Sequence, residues 1–136
     1  MKLKLTAVLA ALALSGPAFA EGDIAKGEKT FKKCKSCHMI VDGENVIVKG
    51  GKTGPNLYGI IGKAAGAQEG YKYGKSLLAA AEAGLVWDEE QFVAYIQDPA
   101  GYLKEYLDDP KAKSKMSLKL KKGMEDVYAY LESVAE

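Results

Sequence analysis

Cys34-Lys35-Ser36-Cys37-His38 holds the only two cysteines and the only histidine of this 136-residue chain. The order C-x-x-C-H is the attachment signature of a c-type haem. The chemistry explains the spacing. Two thiols about one helical turn apart can add across the two vinyl groups on one porphyrin edge, forming two thioethers. His38 then lies under the ring, where a neutral imidazole nitrogen can bind the iron. Three other readings compete. A thiol–disulfide redox pair belongs in a strand–helix unit, whereas the segment before Cys34 reads as a helix. A structural zinc site needs four ligands, and this run offers three. The third is chance placement of a lone histidine behind a lone C-x-x-C.

The first twenty residues read as a secretory signal rather than as part of the fold (1–20, cleaved). Lys2 and Lys4 form a positive start, Leu5 to Leu14 an apolar stretch, and Ala18-Phe19-Ala20 a small-x-small cleavage site. The stretch is too short and wrongly flanked for a stable membrane anchor, and no later run of eighteen apolar residues follows. The expected product is one soluble domain over 21–136 in an oxidising compartment, most simply a bacterial periplasm. One i,i+3 cysteine pair would constrain almost nothing as a disulfide, so covalent haem attachment makes better sense of it. A chain this small buries a modest core, and a central apolar cofactor is expected to matter for folding. The chain has 19 lysines, no arginine and 18 acids; without Lys2 and Lys4 the formal charge is −1. That balance gives no sign of nucleic-acid or membrane binding.

Asp23 is placed to cap a first helix, in which Ile24, Gly27, Phe31 and Cys34 follow at helical spacing. A glycine inside a helix costs about 1 kcal/mol against alanine, so Gly27 points to another helix passing very close. Ile40-Val41, a turn at Asp42-Gly43 and Val46-Ile47-Val48 give the pattern of a short two-stranded excursion. Thr53-Gly54-Pro55-Asn56-Leu57 follows. A ligating imidazole needs an acceptor for its other N–H, and the Pro55 carbonyl is a candidate. Residues 59–74 read as a glycine-rich loop carrying Tyr71 and Tyr73, whose hydroxyls can reach haem propionates.

Further helices are expected over Lys75–Ala83, closed by Gly84, from an Asp88 cap through about Gln97, and from Asp98-Pro99 through about Leu107. A last helix from about Leu118 or Lys119 to Val134 carries the stripe Val127, Tyr130, Leu131, Val134. It is expected to cross the first near Gly27, with Tyr130 against Phe31. Met116 stands alone in the lysine-dense run Lys111–Lys122, with no amphipathic face to join. A thioether is a soft ligand suited to haem iron; ordinary packing is the competing reading.

With these pieces in order, the chain over 21–136 resembles the class I cytochromes c, specifically the bacterial cytochrome c2 type. The resemblance rests on Gly27…Phe31…Cys34-Lys35-Ser36-Cys37-His38, on Thr53-Gly54-Pro55-Asn56-Leu57-Tyr58-Gly59 and on Gly70-Tyr71-Lys72-Tyr73. Trp87, Tyr95 and Pro99 extend it, as does Lys115-Met116. It implies an all-α cytochrome c fold, about five short helices and loops around one covalent haem c, with terminal helices crossing. It implies His38 and Met116 as axial ligands, Cys34 and Cys37 as covalent attachments, and Pro55 behind His38. By the same match Tyr73 and Trp87 bond a propionate and Tyr95 lies near the methionine sulfur. Three positions depart from the pattern: Lys63 where an arginine is frequent near a propionate, Leu77 where a polar residue is common, and Leu118 where an aromatic often stands.

Two protein axial ligands leave the iron no open site, which suits one-electron transfer and not an enzyme. The resemblance implies a monomeric periplasmic carrier between a cytochrome bc complex and a photosynthetic reaction centre or terminal oxidase. Lys32, Lys33 and Lys35 flank the attachment edge; Lys113, Lys115, Lys119, Lys121 and Lys122 flank Met116. Acids gather elsewhere, at Asp88-Glu89-Glu90 and Asp108-Asp109. A basic ring of this kind steers encounter with acidic partners, against the plainer reading of lysines as solvated surface. The competing function is a haem enzyme or ligand sensor, peroxidase-like or gas-binding, with an open or displaceable sixth position.

Overall fold

Three aspartates set where helices begin. In the computed structural model, which describes residues 22–136, Asp23 accepts from Lys26 N (3.0 Å), Asp88 from Gln91 N (2.9 Å) and Asp98 from Gly101 N (3.1 Å). Each satisfies a backbone donor that the first helical turn leaves unpaired. The helices that follow are α1 (Ile24–Phe31), α3 (Glu89–Gln97) and α4 (Pro99–Tyr106); α2 spans Lys75–Glu82 and α5 Met124–Val134. Pro99 opens α4, where its missing N–H costs no bond. Gly84, at φ +100°, follows the end of α2, as its position in the sequence suggested. The expected signal segment lies outside the described residues.

The two-stranded excursion is present. Strands β1 (Ile40–Asp42) and β2 (Asn45–Val48) pair antiparallel, Val41 opposite Val46 and Asp42 opposite Asn45, with an irregularity between Ile40 and Val41. Gly43 takes the left-handed conformation that closes the turn. Apart from this hairpin, the described regular structure is helical, as an all-α cytochrome c fold requires.

α1 lies across α5 at Gly27. A Cβ on Gly27 would sit 2.0 Å from the Asp126 carbonyl oxygen, so only a bare Cα lets the backbones come this close. Phe31, one turn on, meets Tyr130 with ring centroids 5.7 Å apart. Asp23 N also donates to Asp126 Oδ1 at 2.7 Å, closing the crossing at its outer end. α3 packs on both α4 and α5.

One boundary differs from expectation. α5 starts at Met124, not near Leu118 or Lys119. Gly123 sits at φ +77°, which breaks right-handed helix geometry. Residues 117–122 instead run past the end of α3, where Leu120 N donates to Ile96 O (2.8 Å) and Lys121 Nζ to Gln97 O (3.3 Å). The stripe from Val127 to Val134 belongs to α5 as read, but says nothing about where the helix begins.

The crossing gives a stability test. Gly27→Ala in the haem-loaded protein is expected to cost about 1–3 kcal/mol through overpacking, seen as a thermal midpoint lowered by several degrees. An unchanged midpoint would show that the helices are not locked there.

Candidate cofactor site

The turn carrying the cysteines continues α1. Cys34 N donates to Phe31 O (2.8 Å), and Cys37 N and His38 N both donate to Cys34 O (3.1 and 3.0 Å). The chain therefore stays coiled through the pentapeptide, with the cysteines one turn apart. Cys34 is partly buried and Cys37 exposed. Burial pushes the Cys34 thiol up to about 11, and the neighbouring Cys37 adds to the shift.

Behind this turn runs glycine-rich backbone. Gly51 N donates to Lys35 O (2.9 Å) and Gly54 N to Cys37 O (2.8 Å). A Cβ would sit 1.8 Å from His38 O at Gly50, 2.1 Å from Ser36 O at Gly51 and 2.4 Å from His38 Cε1 at Gly54. This approach brings Pro55 behind the imidazole, where its carbonyl accepts from His38 Nδ1 at 2.8 Å. A carbonyl can only accept, so Nδ1 carries the proton and Nε2 keeps its lone pair. Burial holds His38 below the usual imidazole range, against the opposing pull of the Pro55 bond. Asn56 then ties the segment to β1: its Oδ1 accepts from Val41 N (3.0 Å) and Tyr58 N (3.1 Å), and its Nδ2 donates to Val41 O (2.8 Å).

Cys34, Cys37 and His38 open onto a cavity of about 450 Å³ whose lining also includes Pro55, Tyr73, Trp87, Tyr95 and Met116. The fold thus collects on one cavity residues drawn from across the chain. Trp87 and Tyr95 pack with ring centroids 4.8 Å apart. Burial raises the Tyr95 hydroxyl above its ordinary range, with the nearby Ser114 pulling the other way. Met116 N donates to the Ser114 hydroxyl (3.1 Å), which ties the methionine backbone at the cavity wall. Leu77, Leu118 and Lys63 line the cavity too, and Leu118 stays 39% exposed.

The basic residues divide. Lys33, Lys113 and Lys115 line the cavity; Lys32, Lys35, Lys119, Lys121 and Lys122 are exposed outside its lining. Lys119 pairs with Asp98 (3.6 Å), and Lys115 Nζ donates to Lys72 O (2.7 Å). Sequence reasoning missed Gly50, Gly51, Gln68 and Ser114. The adjacent glycines just ahead of Gly54-Pro55 were a usable signal for a close approach. Gln68 and Ser114 carried none, because an amide or hydroxyl in a polar loop looks like any other.

The donor set fits an iron porphyrin joined by two thioethers. Two cysteine sulfurs stand one turn apart, an imidazole directs its Nε2 lone pair away from Pro55, and a thioether shares a cavity walled largely by apolar and aromatic side chains. Its volume falls in the range of about 300–1,000 Å³ typical of ligand pockets. Among the described residues no group of three or more His, Cys, Asp or Glu side chains is placed to hold a metal ion. The helical segment before Cys34 argues against the thioredoxin-like reading. Fold and site together define a c-type cytochrome with one haem.

Known proteins narrow this further. Cytochrome c-551 of Roseobacter denitrificans is 57% identical over 136 residues, covering 99% of this chain and 97% of the relative. Cytochrome c2 of Rhodobacter capsulatus is 55% identical over 139 residues, covering both chains completely. The solved structure of R. capsulatus cytochrome c2 superposes with a TM-score of 0.81 at 53% identity, over 85% of this chain and 100% of that one. Ferric cytochrome c-550 of Paracoccus versutus gives 0.82 at 48%, with the same coverage of each. No family model matches the chain. The chain belongs to the bacterial cytochrome c2 family of class I cytochromes c, electron-carrying proteins whose cofactor is haem c.

The close approach at Gly54 can be tested directly. In Gly54→Ala the new methyl displaces the imidazole, so the His38 Nδ1 proton is expected to exchange with solvent faster than in the parent. Equal exchange rates by NMR would contradict the geometry.

Proposed function

We propose that the protein is a periplasmic one-electron carrier, exported by its first twenty residues, working between a cytochrome bc complex and a photosynthetic reaction centre or terminal oxidase. One observation carries this reading: the Cys34–Cys37–His38 turn and Met116, far apart in sequence, line the same cavity. Haem c supplies a one-electron iron couple when bound.

The remaining roles fall to the chain. Cys34 and Cys37 would hold the cofactor covalently, and His38 Nε2 and the Met116 sulfur would bind its iron. Pro55 fixes the imidazole tautomer and its ring angle. Ser114 holds the backbone of Met116 on the other side, where Tyr95 would lie near the methionine sulfur. Tyr73 and Trp87 would bond a haem propionate. The aromatic and aliphatic lining excludes water. An imidazole fixed by the Pro55 bond and a thioether whose backbone is tied to Ser114 would leave little to rearrange between the two oxidation states.

Lys32, Lys33, Lys35, Lys115, Lys119, Lys121 and Lys122 make a basic docking face for acidic partners. Long-range attraction between such faces speeds encounter and weakens with salt, and small redox interfaces release quickly. None of the helices among the described residues is long and apolar enough to cross a membrane, in keeping with a carrier that moves between complexes.

Two measurements test the proposal. The oxidised protein is expected to show the near-infrared absorption of sulfur–iron bonding. In Met116→Ala that band disappears and carbon monoxide binds the reduced form. A parent protein that lacks the band and binds carbon monoxide would instead have an open sixth position. Reduction by a purified cytochrome bc complex should slow steeply as ionic strength rises, and a flat salt profile would refute steering by the lysines.

A further inference from the structure

Lys26, Lys29 and Lys33 follow one another at i, i+3 and i+7 along α1 and the turn that continues it, and so share one face. Lys122 joins them from the start of α5, and all four side chains line a hollow of about 350 Å³. Thr30 and Gly123 bring its two walls together: a Cβ on Gly123 would sit 3.2 Å from Thr30 Oγ1.

The lining holds one carboxylate, Asp126, whose Oδ1 already accepts from Asp23 N (2.7 Å). Four ammonium groups thus stand against a single acid. Among the described residues the one side-chain salt bridge joins Lys119 to Asp98, so none of the four is paired. Helix dipoles account for two of them, since Lys29 and Lys33 sit at the C-terminal end of α1, where a cation is favoured. Lys26 and Lys122 have the opposite setting. Lys26 lies in the first turn of α1, and Lys122 directly precedes Gly123, the cap of α5. At both places the helix dipole disfavours a cation and favours an anion. An anion held among the four lysines relieves their mutual repulsion and both adverse dipole contacts at once.

We propose that this hollow is a binding subsite for a free multivalent oxyanion of the phosphate class, clasped by Lys26 and Lys29 on one wall and Lys122 on the other, with Lys33 linking it to the cofactor. Lys33 is the residue common to the linings of the hollow and of the haem cavity. An anion held against it removes positive charge from the cavity edge, which favours the oxidised, more positive iron. The same anion masks Lys33 and Lys122 of the basic docking face. The link to the iron rests on the haem reading above; the binding does not.

Inorganic pyrophosphate is the probe, titrated into the haem-loaded protein at constant ionic strength made up with sodium chloride. The NMR shifts of the Thr30 and Gly123 amides are expected to move and to saturate. Lys26→Gln and Lys122→Gln should each weaken binding about fivefold, the effect of losing one unit charge at a distance of ~4 Å in water. Lys104→Gln, exposed on α4, should leave binding unchanged. Saturating pyrophosphate should lower the reduction potential, and by less in Lys33→Gln. Shifts that grow without saturating, or that chloride alone reproduces, would mean an adventitious ion only and overturn the proposal. Saturable binding that survives both Lys26→Gln and Lys122→Gln would do the same. So would a glutamate oligopeptide that binds the hollow more tightly than pyrophosphate, which would make it part of the protein docking face. Binding without any change in potential overturns the link through Lys33. A parent protein without its near-infrared band would instead sink the reading of the axial site and leave the binding result standing.

Discussion

The arrangement of the site depends on the hydrogen bond from His38 Nδ1 to Pro55 O. It fixes which ring nitrogen carries the proton and so which one is free to bind iron. Bringing that carbonyl behind the ring forces residues 50–54 against the backbone of residues 35–38 more closely than any Cβ permits, hence Gly50, Gly51 and Gly54. Once past the proline, the chain has to be stopped from swinging away. Asn56 does this by pairing with both backbone groups of Val41. The hairpin β1–β2, none of whose residues lines the cavity, is then understandable as the anchor for Asn56.

The opposite wall solves a different problem. Met116 arrives on a segment with no regular structure, tied by Lys113 N to Ser76 Oγ and by Leu120 N to Ile96 O. Six extended residues reach about 20 Å, where six helical residues would reach about 9 Å. Leaving 117–122 out of a helix lets the chain run from the cavity past the end of α3 to the start of α5. Gly123 enforces that choice by its left-handed backbone. The helices supply the rigid frame, above all the α1–α5 crossing at Gly27, while loops deliver the groups that face the cofactor.

That division explains what could be read in advance. Helix caps at Asp23, Asp88 and Asp98, the stop at Gly84, the hairpin turn at Gly43 and the Gly27 crossing are local signals with local causes, and the sequence displays them. That the pentapeptide, Pro55 and Met116 meet at one cavity agrees with reading them as one group, a reading that rested on the rarity of C-x-x-C-H. Where α5 begins was not, since periodicity marks the face of a helix and not its end, and Gly123 looks like any loop glycine. Gln68 was hidden for a deeper reason. Its partners are backbone carbonyls, and nothing in a sequence says which carbonyls a fold will leave within reach of an amide.

The lysines show the same principle acting on charge. Several are not free to wander: Lys115 is held by Lys72 O, Lys121 by Gln97 O, Lys119 by Asp98 and Lys63 by Gln68 Oε1. Three of these four anchors are neutral, so they fix an ammonium in space without cancelling its charge. An unanchored surface lysine contributes a field averaged over many rotamers and weakened by solvent. An anchored one contributes a directed field at the cavity or at a partner. With acids and lysines nearly balanced over the whole chain, net charge can neither steer a partner nor set a potential. What the structure fixes is position: neutral backbone and amide oxygens hold three of these ammonium groups in place without cancelling their charge.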